Sequence, residues 1–349
     1  MPKKRIVGLD IFRVLAVFIV FLFHAQLFLK CDFGPADSVI QMGAVFMTGF
    51  FMLSGFVLYL THSQTNLMQV TTLKKFYFKR AIGILPLYYF FALLFIVTLG
   101  QESLKENLIL APVEILGLQS TFSSIFTVSH NDGTWFISCL LICYLLFPLM
   151  QEVAKQISSR AKILIIAFCG VALCWAPVIV HFYHTASIYE NPFYRGLEFT
   201  IGVMLCSLRN DAIADKFKFL QQWKFFAAEF LLYAVAVTAA LKIGIPGNYM
   251  LFDFIALPAF AAMLWSLSGV KSEALENSKI LQFACKISYA FFLAQSFCWI
   301  PVFKFQELTG INNGFLNFAI SFIVCILVSA AMHILVERPA TKKLTKILQ

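Results

Sequence analysis

Charge is scarce in this chain: only 13% of its 349 residues are Asp, Glu, Lys or Arg. Soluble domains carry about 25%. With 60% hydrophobic residues and a mean hydropathy of +0.82, a water-exposed surface could not be assembled around a single core. Long polar segments, low-complexity stretches and repeats of fixed period are also missing. Their absence leaves no room for an appended soluble domain, so residues 1–349 are expected to form a single membrane domain. Clustered cysteines are lacking as well. The nine are scattered, mostly within apolar runs (Cys139, Cys143, Cys169, Cys174, Cys206, Cys298, Cys325). That distribution suits packing residues and predicts neither a disulfide framework nor a metal site.

What the chain has instead is long apolar runs, with 40 Phe among them. They predict an all-α polytopic membrane protein with about ten transmembrane helices. The expected spans are 9–29, 39–60, 82–100, 135–151, 162–181, 193–208, 224–243, 249–268, 288–306 and 315–337. Turn-forming stretches such as "KCDFGPADS", "KIGIPGN" and "TGINNG" separate some of them. With the N-terminus placed in the cytoplasm, 21 of the 27 Lys and Arg fall in six inner segments and five in the outer loops. Adding or dropping one span would destroy this alternation. Both termini are therefore expected to be cytoplasmic, and the net charge of +9 reflects topology rather than nucleic-acid binding. The opening "MPKKRIVGLD" resembles a signal peptide, but the apolar stretch after it is too long and lacks a small-x-small site. It is expected to stay as the first span.

Ionisable groups inside such runs are costly and usually face a protein interior. "DIFRVLAVFIVFLFH" holds Asp10, Arg13 and His24. Arg13 and His24 are eleven residues apart, three helical turns plus about 20°, so they share a face about 16 Å apart along the axis. Asp10 lies within ion-pair reach of Arg13. One alternative is a snorkelling Arg13 paired with Asp10, with His24 making only a polar contact between helices. Further candidates are Ser54 in "FFMLSGFVLYL" and Arg80 at the cytoplasmic mouth of the third span. Trp135 follows His130 and Asp132 at the outer interface, and Arg195 and Glu198 stand at i, i+3 near the outer face. Each has a plainer reading: helix packing for Ser54-Gly55, a positive-inside anchor for Arg80, an interfacial belt for Trp135, a surface ion pair for Arg195–Glu198. In "HILVERPATKK", His333 and Glu337 share a face and Pro339 is expected to end the helix.

Taken in order, these segments resemble the acyltransferase-3 family of bacterial integral-membrane O-acyltransferases. The resemblance covers nearly the whole chain. It rests on "GLDIFRVLAVFIVFLFH", "FFMLSGF", Arg80 with "LPLYY", Trp135 with "CYLLFP", Arg195 with Glu198-Phe199 and Gly202, "SYAFFLAQ" and "ILVERP". It implies transfer of an acyl group, often acetyl, from cytoplasmic acetyl-CoA or another acyl-CoA to a hydroxyl of a cell-surface glycan, such as O-antigen or exopolysaccharide. By position, His24 matches the catalytic histidine and Arg13 the essential arginine of the same motif. Arg80 matches the first arginine of a donor-linked Arg-x-x-Arg element. The chain departs from the pattern at Gly83, where the second arginine would stand. It departs again at Leu140 in place of a Glu and at Gln295 in place of a His.

The expectation is a multi-pass O-acetyltransferase of the bacterial inner membrane, with acyl-CoA as co-substrate and no metal. Its acceptor would be a glycan or a lipid-linked saccharide; besides the lipid bilayer, no nucleic-acid partner is expected. His24, Arg13 and Asp10 form the expected catalytic set, and Arg80 with Arg13 the donor site. Trp135, Arg195, Glu198 and Ser54 would contact substrate. Histidine suits general-base work near neutral pH, and cytoplasmic cations suit the phosphates of CoA. A transporter or flippase for a glycan or acylated cargo is the alternative, since internal charges also serve transport.

Overall fold

The computed structural model describes residues 5–98, 104–121, 132–183 and 188–346. Among these no strand occurs; the backbone is helical because lipid offers no partner for a bare N–H or C=O. The helices are α1 (Val7–Leu29), α2 (Asp37–Gln41), α3 (Phe46–His62), α4 (Val70–Thr98), α5 (Leu104–Ile115), α6 (Trp135–Gln156) and α7 (Ser159–Tyr183). They continue with α8 (Pro192–Leu208), α9 (Trp223–Lys242), α10 (Asp253–Ser268), α11 (Glu273–Glu276), α12 (Lys279–Thr309), α13 (Gly314–Met332) and α14 (Arg338–Lys346). Nine described segments are long and apolar enough to cross a membrane. The remaining expected span is α8, of 17 residues. Large apolar side chains stand exposed along these helices, Phe168, Phe182, Leu232 and Phe315 among them, as a lipid-facing surface requires.

The chain divides into two compact units. The first comprises Met1–Thr65, Leu149–Ile188 and Tyr194–Lys286. Here α1 packs on α3 and α10, α9 packs on α10, and the short α2 bridges α1 and α9. Its core is aromatic: the Phe260 ring lies 4.9 Å from Phe46, 5.3 Å from Tyr233 and 5.9 Å from Phe12. Small residues set the closest approach. A Cβ on Gly55 of α3 would stand 2.1 Å from the Phe199 carbonyl oxygen of α8, and one on Gly202 would stand 1.9 Å from that of Met52. The packing reading of Ser54-Gly55 therefore holds for Gly55.

The second unit comprises Asn66–Pro148, Tyr189–Phe193 and Ile287–Gln349. Tyrosines tie its backbones together: Tyr88 donates to the Glu114 carbonyl at 2.6 Å and Tyr89 to that of Ile115 at 2.7 Å, fixing α5 on α4. Tyr289 of α12 donates to the Ile84 carbonyl of α4 at 3.0 Å.

Two expectations need correcting, and one element was not foreseen. The third span begins at Val70, not 82, because Lys74, Lys75, Lys79 and Arg80 lower hydropathy without opposing helix formation. The segment after it holds α5, which a hydropathy reading passes over. Pro339 does not end the last helix. It falls in the first turn of α14, where a missing N–H costs little, and His333–Glu337 loosens into a π turn whose His333 carbonyl accepts from Arg338 N–H.

Candidate active site

In the first unit, α1 runs unbroken through Asp10, Arg13 and His24, so the shared face expected from their spacing is realised. Asp10 is in the first turn, where a carboxylate also meets the positive end of the helix dipole. It is 8% exposed and bound by two guanidinium groups. Arg5 Nε donates to it, and Arg13 Nη1 lies 3.5 Å away. Arg13 keeps 33% of its side-chain exposure despite the pair. His24 is half-buried, its ring 5.2 Å from Phe23 and 5.9 Å from Phe28. Between the two polar groups in height, Val17 and Val20 are buried. The helix ends just beyond His24, where Lys30 takes the left-handed conformation (φ 55°). Asp37 anchors the following loop by accepting from Gln26 Nε2 and the Phe33 N–H, each at 2.9 Å. In that loop, the Gly34 N–H holds the exposed Asp32 carboxyl below its ordinary pKa.

A cavity of about 720 Å³ borders α1 on another side, among Leu15, Phe18, Leu22, Phe230, Val235 and Lys242. At 100° per residue these α1 positions lie roughly opposite Arg13 and His24. This apolar groove is therefore separate from the polar stripe.

Arg195 and Glu198 do pair, at 2.7 Å, but not on the surface. Their side chains are 1% and 0% exposed. The sequence placed them at the outer interface because charged residues near the ends of spans usually face water. Here α3 supplies a direct partner, and α7 and α10 extend the network around it. Thr48 Oγ1 lies 2.9 Å from Glu198 Oε1 and 3.1 Å from Asp253 Oδ1, and Arg195 Nη1 reaches Thr48 Oγ1 at 3.3 Å. Tyr194 donates to Asp253 Oδ2, and the Leu173 carbonyl lies 3.4 Å from the same hydroxyl. Sequence reasoning missed Thr48, Tyr194 and Asp253. Asp253 carried a usable signal, a lone carboxylate in "YMLFDFIALPAF". Ser54, on the same helix as Thr48, is half-buried, and its hydroxyl makes no hydrogen bond among the described residues.

The second unit holds Arg80 and Trp135. The Arg80 guanidinium sits 5.9 Å from the Phe76 ring centre and 6.0 Å from that of Tyr144. Its Nε is buried without a hydrogen-bond partner, and no carboxylate among the described residues pairs with it. A half-buried arginine with unspent donors suits an anion. One turn on, Gly83 faces open space where the second arginine of the family element would stand. Trp135 opens α6 with its ring 5.2 Å from Tyr189, while its carbonyl accepts from Ser120 Oγ at 2.8 Å. His130 lies outside the described residues. Leu140 and Gln295 are buried. His333 Nδ1 and Glu337 Oε2 pair at 2.7 Å as the spacing implied.

A family model described as an acyltransferase domain matches residues 6–334. The chain is similar to "Acyltransferase MdmB" of Streptomyces mycarofaciens, with 29% identity over 183 residues. That stretch is 50% of this chain and 45% of the relative, so the chain spans under half of that protein's length. No solved structure matches.

Proposed function

Because the chain belongs to the acyltransferase family whose domain it matches from residue 6 to 334, we propose that it is a multi-pass O-acyltransferase of the bacterial cytoplasmic membrane. It moves an acyl group, acetyl in the simplest case, from cytoplasmic acyl-CoA to a hydroxyl of a cell-surface glycan or its lipid-linked precursor. The observation that carries this reading is the α1 stripe: a one-third-exposed Arg13 backed by Asp10, and a half-buried imidazole on the same face of one unbroken helix.

In the proposed reaction His24 removes the proton of the acceptor hydroxyl as its oxygen attacks the thioester carbonyl. The tetrahedral intermediate collapses, the C–S bond breaks, and the imidazolium returns the proton to the CoA thiolate. Arg80 supplies unspent N–H donors to donor phosphates, and Arg13 supplies a second cation. Ser54, with an unspent hydroxyl, and Trp135, with an aromatic face, are assigned to the acceptor. Arg195 and Glu198, with almost no exposure, do not reach substrate and instead tie α8 to α3 through Thr48.

The test is transfer of labelled acetyl from acetyl-CoA to glycan in membranes carrying the protein, matched for expression. His24→Ala should lower turnover about 10²- to 10⁴-fold, the usual worth of a general base. Arg80→Ala should raise the KM for acetyl-CoA more than it lowers kcat. Full transfer by well-expressed His24→Ala protein would end the proposal.

A further inference from the structure

The buried network in the first unit has a hydrogen to account for. Glu198 and Asp253 are 0% and 2% exposed, and Arg195 is the one cation in contact with them among the described residues. Around Asp253, α8 presents Tyr194, Arg195 and Glu198, α3 presents Thr48, α7 presents Cys174 and α9 presents Tyr233. Two ionised acids beside one arginine would leave a net buried negative charge, which such surroundings strongly disfavour.

The Thr48 hydroxyl settles where the compensating proton sits. It has one hydrogen, yet it lies 2.9 Å from Glu198 Oε1 and 3.1 Å from Asp253 Oδ1. If both acids were ionised, one carboxylate oxygen would face oxygen lone pairs with no hydrogen between. One pattern gives each of the four contacts of the two acids a hydrogen, with Thr48 Oγ1 also accepting from Arg195 Nη1 at 3.3 Å. Arg195 Nη1 donates to Glu198 Oε1 at 2.7 Å, Thr48 donates to that same oxygen, and Tyr194 donates to Asp253 Oδ2. Asp253 Oδ1 must then carry a hydrogen and donate it to Thr48. The reverse assignment would put the proton on Glu198 Oε1, the atom Arg195 approaches most closely. A second observation points the same way. The Tyr233 hydroxyl, 1% exposed, makes no hydrogen bond among the described residues, so it supplies Asp253 with no competing donor.

We propose that Asp253 is a proton-binding site: it works as a neutral carboxylic acid, donating through Thr48 to the ionised Arg195–Glu198 pair and joining the N-terminal portions of α3, α8 and α10. This does not depend on the acyl-transfer reading, and its test uses no substrate. Asparagine reproduces a protonated aspartic acid, with one donor toward Thr48 and one acceptor toward Tyr194. Asp253→Asn should therefore melt within about 2 °C of the parent in detergent, whereas Glu198→Gln, which strips Arg195 of its anion, should melt at least about 5 °C lower or fail to fold. Infrared spectra at pH about 7.5, well above the ordinary carboxylate range, should show a neutral-carboxyl C=O band. Asp253→Asn should remove it and Glu229→Gln should leave it. A band untouched by Asp253→Asn, or an Asp253→Asn protein destabilised as much as Glu198→Gln, overturns the assignment.

Discussion

A methyl group at Gly202 should separate α3 from α8, while the same methyl at Gly196, on the same helix, should not. An added Cβ at Gly202 would sit 1.9 Å from the Met52 carbonyl oxygen, 2.7 Å from its carbon and 3.0 Å from its Cα. All three are backbone atoms, so no side chain can turn away. Reaching ordinary contact near 3.4 Å needs the helices to part by about 1.5 Å locally. A gap of about 0.5–1 Å already forfeits a quarter to a half of each dispersion contact. The seam is lined by Phe51, Phe56, Phe199 and Val203, all fully buried, so the loss falls on well-packed atoms. The same parting would stretch the 2.9 Å bond between Thr48 and Glu198 beyond hydrogen-bond range. Together these make Gly202→Ala cost about 2–4 kcal/mol, above the usual overpacking range because backbone cannot repack. At about 2 °C per kcal/mol for a chain of this size, Tm in detergent should fall by roughly 4–8 °C. Gly196 faces open space, so Gly196→Ala should be neutral or stabilise by about 0.5–1 kcal/mol through helix propensity alone. Gly55→Ala should resemble Gly202→Ala. The double variant should cost less than the sum, because one separation relieves both clashes. Equal melting of the Gly196 and Gly202 variants would refute this account of the seam.

Two further outcomes concern the helix ends. Lys162 Nζ, 5% exposed, holds both Asp211 oxygens at 2.8–2.9 Å, while the Asp215–Lys218 pair is about two-thirds exposed. Asp211→Ala should therefore lower Tm clearly, by the equivalent of about 2–3 kcal/mol, and Asp215→Ala by almost nothing; a reversed order in a thermal-shift series would contradict the burial argument. Asn313 caps α13 by accepting from the Leu316 N–H at 3.0 Å, so Asn313→Ala should cost about 1 kcal/mol and Asn313→Asp much less. Urea titration of the two proteins in micelles would register the difference, and identical midpoints would remove the cap from the account.

The sequence by itself determined the class of protein and the order of its long apolar helices. Hydropathy and loop charge are local quantities, and lipid reads them segment by segment. It also determined the register of Asp10, Arg13 and His24, because an α-helix converts spacing into direction without help from neighbours. Where a local rule met a local exception it slipped. Charged residues hid the first turns of α4, and Pro339 looked like a terminator until the π turn at His333–Glu337 absorbed it. Only the tertiary structure decided that Arg195 and Glu198 are interior. Their partners, Thr48 and Asp253, stand 150 and 55 residues from Glu198 in the chain, and no spacing rule links positions so remote. Burial is a property of how α3, α8 and α10 meet. The glycines that let them meet look, in the sequence, no different from Gly83 or Gly196, where an added Cβ would meet no neighbour.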